Sequence, residues 1–283
     1  FTGPSLTHGS AYRAAYSYTP AGHFPSMDII LRDRFITLWQ KYFPGAELPL
    51  ALEFRAGHGT AKKVPPPDGW RCIICQTGQA RNGTPLAFDS QSVTCRGGLM
   101  YTGYSCERPP NFRYFLSHGK EGVVEGERYK QTPAIVDAWE MLLPPFDSQG
   151  KELLFTRWDQ LTDQDNPDVV IFFARPEVVS GLFTLANFDR ADPNGVICPM
   201  GSGCSSIVYY PWLEQQKADP KVVMGMFDPS ARKCVPLDVM TIAFPMKRFE
   251  KVVGYMEESF LVTGTWETVK KKIERSGAMY RKE

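Results

Sequence analysis

The chain has 283 residues, 43% hydrophobic and 13% aromatic, enough apolar surface to build a sizeable core and to exclude a disordered chain. Lys and Arg number 32 against 31 Asp and Glu, so the net charge is +1 and no basic excess points to nucleic acid or an anionic membrane. Apolar runs such as Val169–Ala174 fall far short of the ~20 residues that a membrane span needs, and the length suits one large domain or two small ones.

Residues 1–26 are rich in Tyr, Ser and Gly and carry no periodic apolar stripe. They are expected to form an arm that lies along the surface or reaches a second copy in a homo-oligomer. A single α/β or α+β domain is expected over 27–283. Its first helix runs from Met27 to Tyr42, with Met27, Ile30, Leu31, Phe35, Leu38, Trp39 and Tyr42 at three- and four-residue spacing. Ser26 is its expected cap, and Pro44-Gly45 stops it. Leu50–Phe54 alternates as a strand does. Lys62–Gly69, with three consecutive prolines, reads as loop. Asp68 is placed to cap a short helix that carries Cys72 and Cys75 on one face.

Pro85–Phe88 and Ser92–Cys95 read as short extended pieces, and the Pro- and Gly-rich stretch Arg108–Gly126 as the best internal boundary. Thr132-Pro133 is a cap followed by a first-turn proline, opening a helix with Ile135, Val136, Trp139 and Leu142. Glu152–Trp158, Val169–Ala174, Val196–Cys198, Val222–Phe227 and Val239–Phe244 follow as strands. Helices begin near Pro176, near Pro245 and after Thr265. This alternation predicts a mixed sheet with helices on its faces, Val169–Ala174 and Val239–Phe244 being central because they are continuous apolar runs.

Seven cysteines are an odd number at modest density, which argues against a disulfide scaffold and for a soluble, cytoplasmic protein in a reducing compartment. Cys72 and Cys75 form a C-x-x-C pair, and Cys95 follows after nineteen further positions, near the gap to a second pair in a zinc ribbon. The second pair is missing, so a fourth ligand must come from afar: Cys204 or Cys198 first, Cys106 behind them. Three near sulfurs and one remote one suit an iron–sulfur cluster at least as well as zinc. The alternative is that these cysteines are apolar core residues. A thioredoxin-like pair is disfavoured by the proline loop ahead of Cys72.

The loop Gly201-Ser202-Gly203-Cys204-Ser205-Ser206 follows a short strand. Gly201, Ser202, Gly203 and Ser205 could cradle an anionic ligand on backbone N–H groups, and Cys204 could then act as a nucleophile. The alternative is a tight turn that needs glycine for its shape. Ser206 stands where a dinucleotide fingerprint would require glycine. His8, His23, His58 and His118 are the available imidazoles, and none sits in a motif that marks a base for Cys204. Arg55, Arg71 and Arg96 near the cysteines read as solvated or ion-paired side chains.

Four stretches carry a family resemblance: Pro167–Arg190, Gly201–Glu214, Gly225–Lys233 and Phe244–Leu261. With Cys75-Gln76, Cys95-Arg96-Gly97-Gly98 and Glu125–Tyr129, they make the chain similar to the ArCR family, a bacterial and archaeal group with a domain of unknown function, over roughly 27–273. The resemblance implies no activity. It implies shared cysteines at Cys75, Cys95 and Cys204. Where many members have Gly-Cys, this chain has Gly225-Met226, so Cys72 would have to complete a four-thiolate set. The resulting expectation is a site of Cys72, Cys75, Cys95 and Cys204 that binds zinc or an iron–sulfur cluster. A Cys204 enzyme and a non-catalytic binder of a small anion stand as alternatives.

Overall fold

The computed structural model describes residues 27–69, 71–105 and 107–280, the side chains of 276–280 excepted. The expected arm, the Ser26 cap and Cys106 lie outside the described residues. In chain order the elements are α1 Ile29–Tyr42, β1 Leu50–Arg55, β2 Lys62–Lys63, α2 Ile73–Arg81, β3 Leu86–Phe88, α3 Arg96–Tyr101, α4 Phe112–Phe115, α5 Pro133–Met141, β4 Glu152–Arg157, β5 Val169–Ala174, α6 Pro176–Asn187 and β6 Val196–Ile197. A π-helical turn, Ser205–Tyr209, then leads into α7 Tyr210–Gln215. After it come β7 Val222–Gly225, α8 Pro229–Arg232, β8 Met240–Pro245, α9 Met246–Tyr255 and α10 Gly264–Tyr280. The fold is α/β. Among the described residues no helix is long and apolar enough to cross a membrane.

The eight strands form one mixed sheet in the order β2-β3-β4-β1-β5-β8-β7-β6. β2 pairs with β3 and β6 with β7 in parallel at the two edges, and the other neighbours run antiparallel. β5 and β8 are interior, as their apolar runs predict, and pair along six residues from Val169↔Pro245 to Ala174↔Met240.

Alternation along β5 divides the molecule into two faces. Val170, Phe172 and Ala174 point to one side, where α1, α6, α9 and α10 bring Phe35, Trp39, Leu182, Phe249 and Trp266. Val169, Ile171 and Phe173 point to the other, where Ile73, Ile74, Tyr101, Cys204, Ile207 and Tyr209 cover them. The first face is an aromatic core: Phe35 meets Phe249 at 5.0 Å and Trp39 meets Phe172 at 5.1 Å between ring centroids. The second face carries the cysteines.

Local chemistry corrects several expectations. Asp28 caps α1, accepting from Ile30 N at 2.8 Å, and Ile30 is exposed although the spacing had put it on the apolar stripe. Asp89 accepts from the N–H groups of Gln91 and Ser92, which makes Ser92 part of a turn and not of a strand. Lys62–Lys63 is a short edge strand at the start of the expected loop. Val136 is the one member of the expected α5 stripe that is buried.

Candidate functional site

Four separate stretches deliver five cysteines to the second face. Cys72 is the N-cap of α2, not a residue within a helix capped by Asp68, and Cys75 lies in the first turn. Cys95 is the N-cap of α3, a helix that two glycines, Gly97 and Gly98, concealed from the sequence pattern. Cys204 immediately precedes the π-helical turn. Cys234 follows α8 after one residue.

The sulfurs of Cys72, Cys75 and Cys234 lie within 4.8 Å of one another. Cys75 and Cys234 are joined as a disulfide, with Cα atoms 4.6 Å apart and 159 residues between them in the chain. The remote partner of the C-x-x-C pair is therefore Cys234, not Cys204 or Cys198. Cys198 is exposed at the end of β6. Cys95 and Cys204 remain free thiols outside the trio. Cys95 is near enough for its charge to act on Cys72, and Cys72 and Cys95 are near enough to act on Cys204.

Close packing of small groups makes this convergence possible. A Cβ on Gly203 would stand 2.8 Å from Ala231 Cβ and 3.1 Å from Ile74 Cγ1. Glycine there lets the Cys204 stretch touch both the C-x-x-C helix and the Cys234 stretch. A Cβ on Gly225 would meet Ser206 Cβ at 2.1 Å, so β7 can run against the π-helical turn only with glycine at that position. π-Helical turns of this kind are frequent at functional sites.

Polar contacts tie the same segments. Thr94 Oγ1 accepts from Arg71 N at 3.0 Å and donates to Gly69 O at 3.1 Å, linking the stretches around Cys72 and Cys95. The Asp228 carboxylate caps α8 and accepts from Gly203 N at 3.3 Å. Arg232 donates to the carbonyls of Met226, Pro236, Leu237 and Val239, closing the loop that holds Cys234. Met226 is buried with φ of 70°, an uncommon left-handed conformation for a side-chain-bearing residue.

Burial pushes the Cys72 thiol pKa up, against the N–H groups of Cys75 and Ile74, which lower it. The Cys204 thiol is pushed well up by burial, with the charges of Cys72, Cys95 and Asp228 adding to the effect. Such a thiol stays protonated unless something cationic draws the proton away. Among the described residues no histidine acts on it. Two donors of the glycine loop are in use: Gly203 N is bonded to Asp228, and Ser205 N to Ser202 Oγ at 3.3 Å. Ser205 Oγ donates to Ser202 O at 2.7 Å. At Gly203 and Ser205 the partners of the backbone N–H groups are the chain's own carboxylate and hydroxyl.

Arg55 is ion-paired with Glu53 and Asp165, and His58 lies beside Glu152. Neither reaches the sulfurs. Cys234 was missed because a lone cysteine after Arg232-Lys233 has no partner within its own stretch. Only the tertiary approach of α8 to α2 gives it one.

The match to the family described as Uncharacterised ArCR runs over residues 47–254 and includes every cysteine of the site. The chain belongs to that family. No curated protein and no solved structure matches it.

Proposed function

We propose that the reduced cysteine centre binds a thiolate-coordinated metal, either a zinc ion or an iron–sulfur cluster. The observation that carries this reading is the trio of Cys72, Cys75 and Cys234 sulfurs, all within 4.8 Å of one another. Thiolates around a tetrahedral ion with metal–sulfur bonds of ~2.3 Å stand roughly 3.8 Å apart, so the trio suits such a centre. Cys95 or Cys204 supplies a fourth thiolate. An all-sulfur donor set selects soft metals such as zinc and iron–sulfur clusters over hard ions. Burial holds the Cys72 and Cys204 thiols protonated, and a metal would displace those protons on binding. When bound, zinc would supply a structural tie or a Lewis acid, and an iron–sulfur cluster one-electron chemistry.

The Cys75–Cys234 bond favours a second reading, a dithiol–disulfide couple with Cys72 as the third thiol beside it. A Cys204 nucleophile is the weakest of the three, given its burial and the lack of a base beside it among the described residues. Zinc, iron and acid-labile sulfide analysis of protein purified without oxygen separates them. The metal reading expects near-stoichiometric metal that is lost in Cys72→Ser and in Cys234→Ser. Metal-free protein whose Cys75–Cys234 pair opens and closes reversibly in a thiol redox titration would instead support the second reading.

A further inference from the structure

A half-open pocket of about 180 Å³ lies at the far end of α3 from Cys95. Its walls are apolar and aromatic, with Met100, Leu143, Phe146 and Tyr209 around Tyr101 and Arg108. That volume exceeds the roughly 150 Å³ of an apolar cavity known to admit benzene. A single six-membered ring with one small substituent therefore fits.

The polar groups at this pocket decide what the substituent is. Tyr209 Oη is committed, donating to Pro144 O. Tyr101 is more than nine-tenths buried, and its hydroxyl has no hydrogen-bond partner among the described residues. Burial also drives its pKa well up, so it remains a donor at every ordinary pH. Arg108 is near enough for its charge to act on the Tyr101 phenol. It is ion-paired with Glu140 through Nη1 and donates to Glu140 O through Nη2. A guanidinium has five N–H donors, so these contacts leave donors over. The pocket thus offers donors, and a guanidinium shared with Glu140, beside an apolar slot.

We propose that this pocket binds a small planar carboxylic acid, its ring against Leu143, Phe146 and Tyr209 and its carboxylate on the Tyr101 hydroxyl and the Arg108 guanidinium. The site is distinct from the cysteine centre but adjoins it. Tyr101 ends the helix that Cys95 begins, and it is close enough to Cys204 to feel its charge.

Benzoate is the probe, titrated calorimetrically into the full chain, with toluene and benzamide as uncharged isosteres. Saturable one-to-one binding of benzoate, stronger than that of either isostere, is the expected result. Tyr101→Phe removes one donor and should weaken benzoate about fivefold. Arg108→Gln should weaken it about tenfold or more and abolish the preference over benzamide. Circular dichroism of both variants reports whether the fold is kept, and Tyr101→Phe changes volume so little that it serves even if Arg108→Gln unfolds. Absence of saturable benzoate binding, equal affinity in folded Tyr101→Phe, or tighter binding of toluene would each overturn the proposal.

Discussion

The two faces of the sheet are closed by different physics. On the face covered by α1, α6, α9 and α10, rings interlock: Phe172 of β5 meets Phe35, Trp39, Phe244 and Phe249. Burying such side chains stabilises chiefly by apolar area, and the ring–ring geometry adds to it. The opposite face is covered by short helices, α2 and α3, by a π-helical turn and by loops. It has an apolar core of its own, with Phe88, Phe155, Ile171 and Ile207, and its loops are tied besides by two tight glycine contacts, by carboxylate and guanidinium bonds to backbone, and by sulfur. The lesson is one of division of labour. The aromatic face closes on longer helices, whereas the other combines its apolar core with buried thiols and a left-handed Met226.

Breaking the aromatic face should have the largest effect. Phe172→Ala is expected to cost about 3–5 kcal/mol, read as a shift in the denaturant midpoint, because truncation leaves a cavity among rings that cannot collapse into it. If Phe173→Ala, which points to the cysteine face, costs as much, the contrast between the faces is lost.

Asp168 sits where β5 begins, and burial first, then the charge of Glu53, pushes its pKa up to about 7 from 3.8, against the Phe54 N–H, which lowers it. The folded chain therefore holds this proton at pH values where the unfolded chain has released it. Stability is fully present below about pH 4 and falls as pH rises through about 7, by at most about 4 kcal/mol. Asp168→Asn should flatten that slope, and urea unfolding at pH 5 and at pH 8 measures it. An unchanged slope would remove Asp168 from the account.

The cysteine face should respond to redox state where the aromatic face does not. Cys234→Ser removes the Cys75 cross-link, which spans 159 residues, and should lower the stability of oxidised protein by about 2–4 kcal/mol. In metal-free protein a reducing agent should abolish the difference between this variant and the parent. The smallest expected effect is Thr132→Ala, which removes the cap on Ile135 N at the start of α5. A loss of about 1 kcal/mol is expected, again by urea unfolding.

Much of this was legible in the residues, and the failures have physical causes. β5 and β8 are continuous apolar runs of β-branched and aromatic residues, so their central place follows from composition. The Thr132 cap and the helix starts at Pro176 and near Pro245 are local stereochemistry, and local signals survive into the fold. α3 was not legible, because Gly97 and Gly98 oppose a helix and only packing on Val93 and the sheet overrides them. The glycine beside Cys204 was read correctly as a point of close approach, whereas Gly97 faces open space.

By itself, then, the sequence determined the α/β class, the central strands, and the presence of cysteines beside chain-freeing glycines, all of which depend on neighbours a few positions away. Which sulfurs meet was decided only by the tertiary structure. Cys234 joins Cys72 and Cys75 because β7 and β8 flank a loop that the sheet order swings over α2. Cys204 is buried beside them because Gly203 lets two chains touch. Contacts across 159 residues leave no periodicity in a single chain, since they are set by how layers stack and not by which residue follows which.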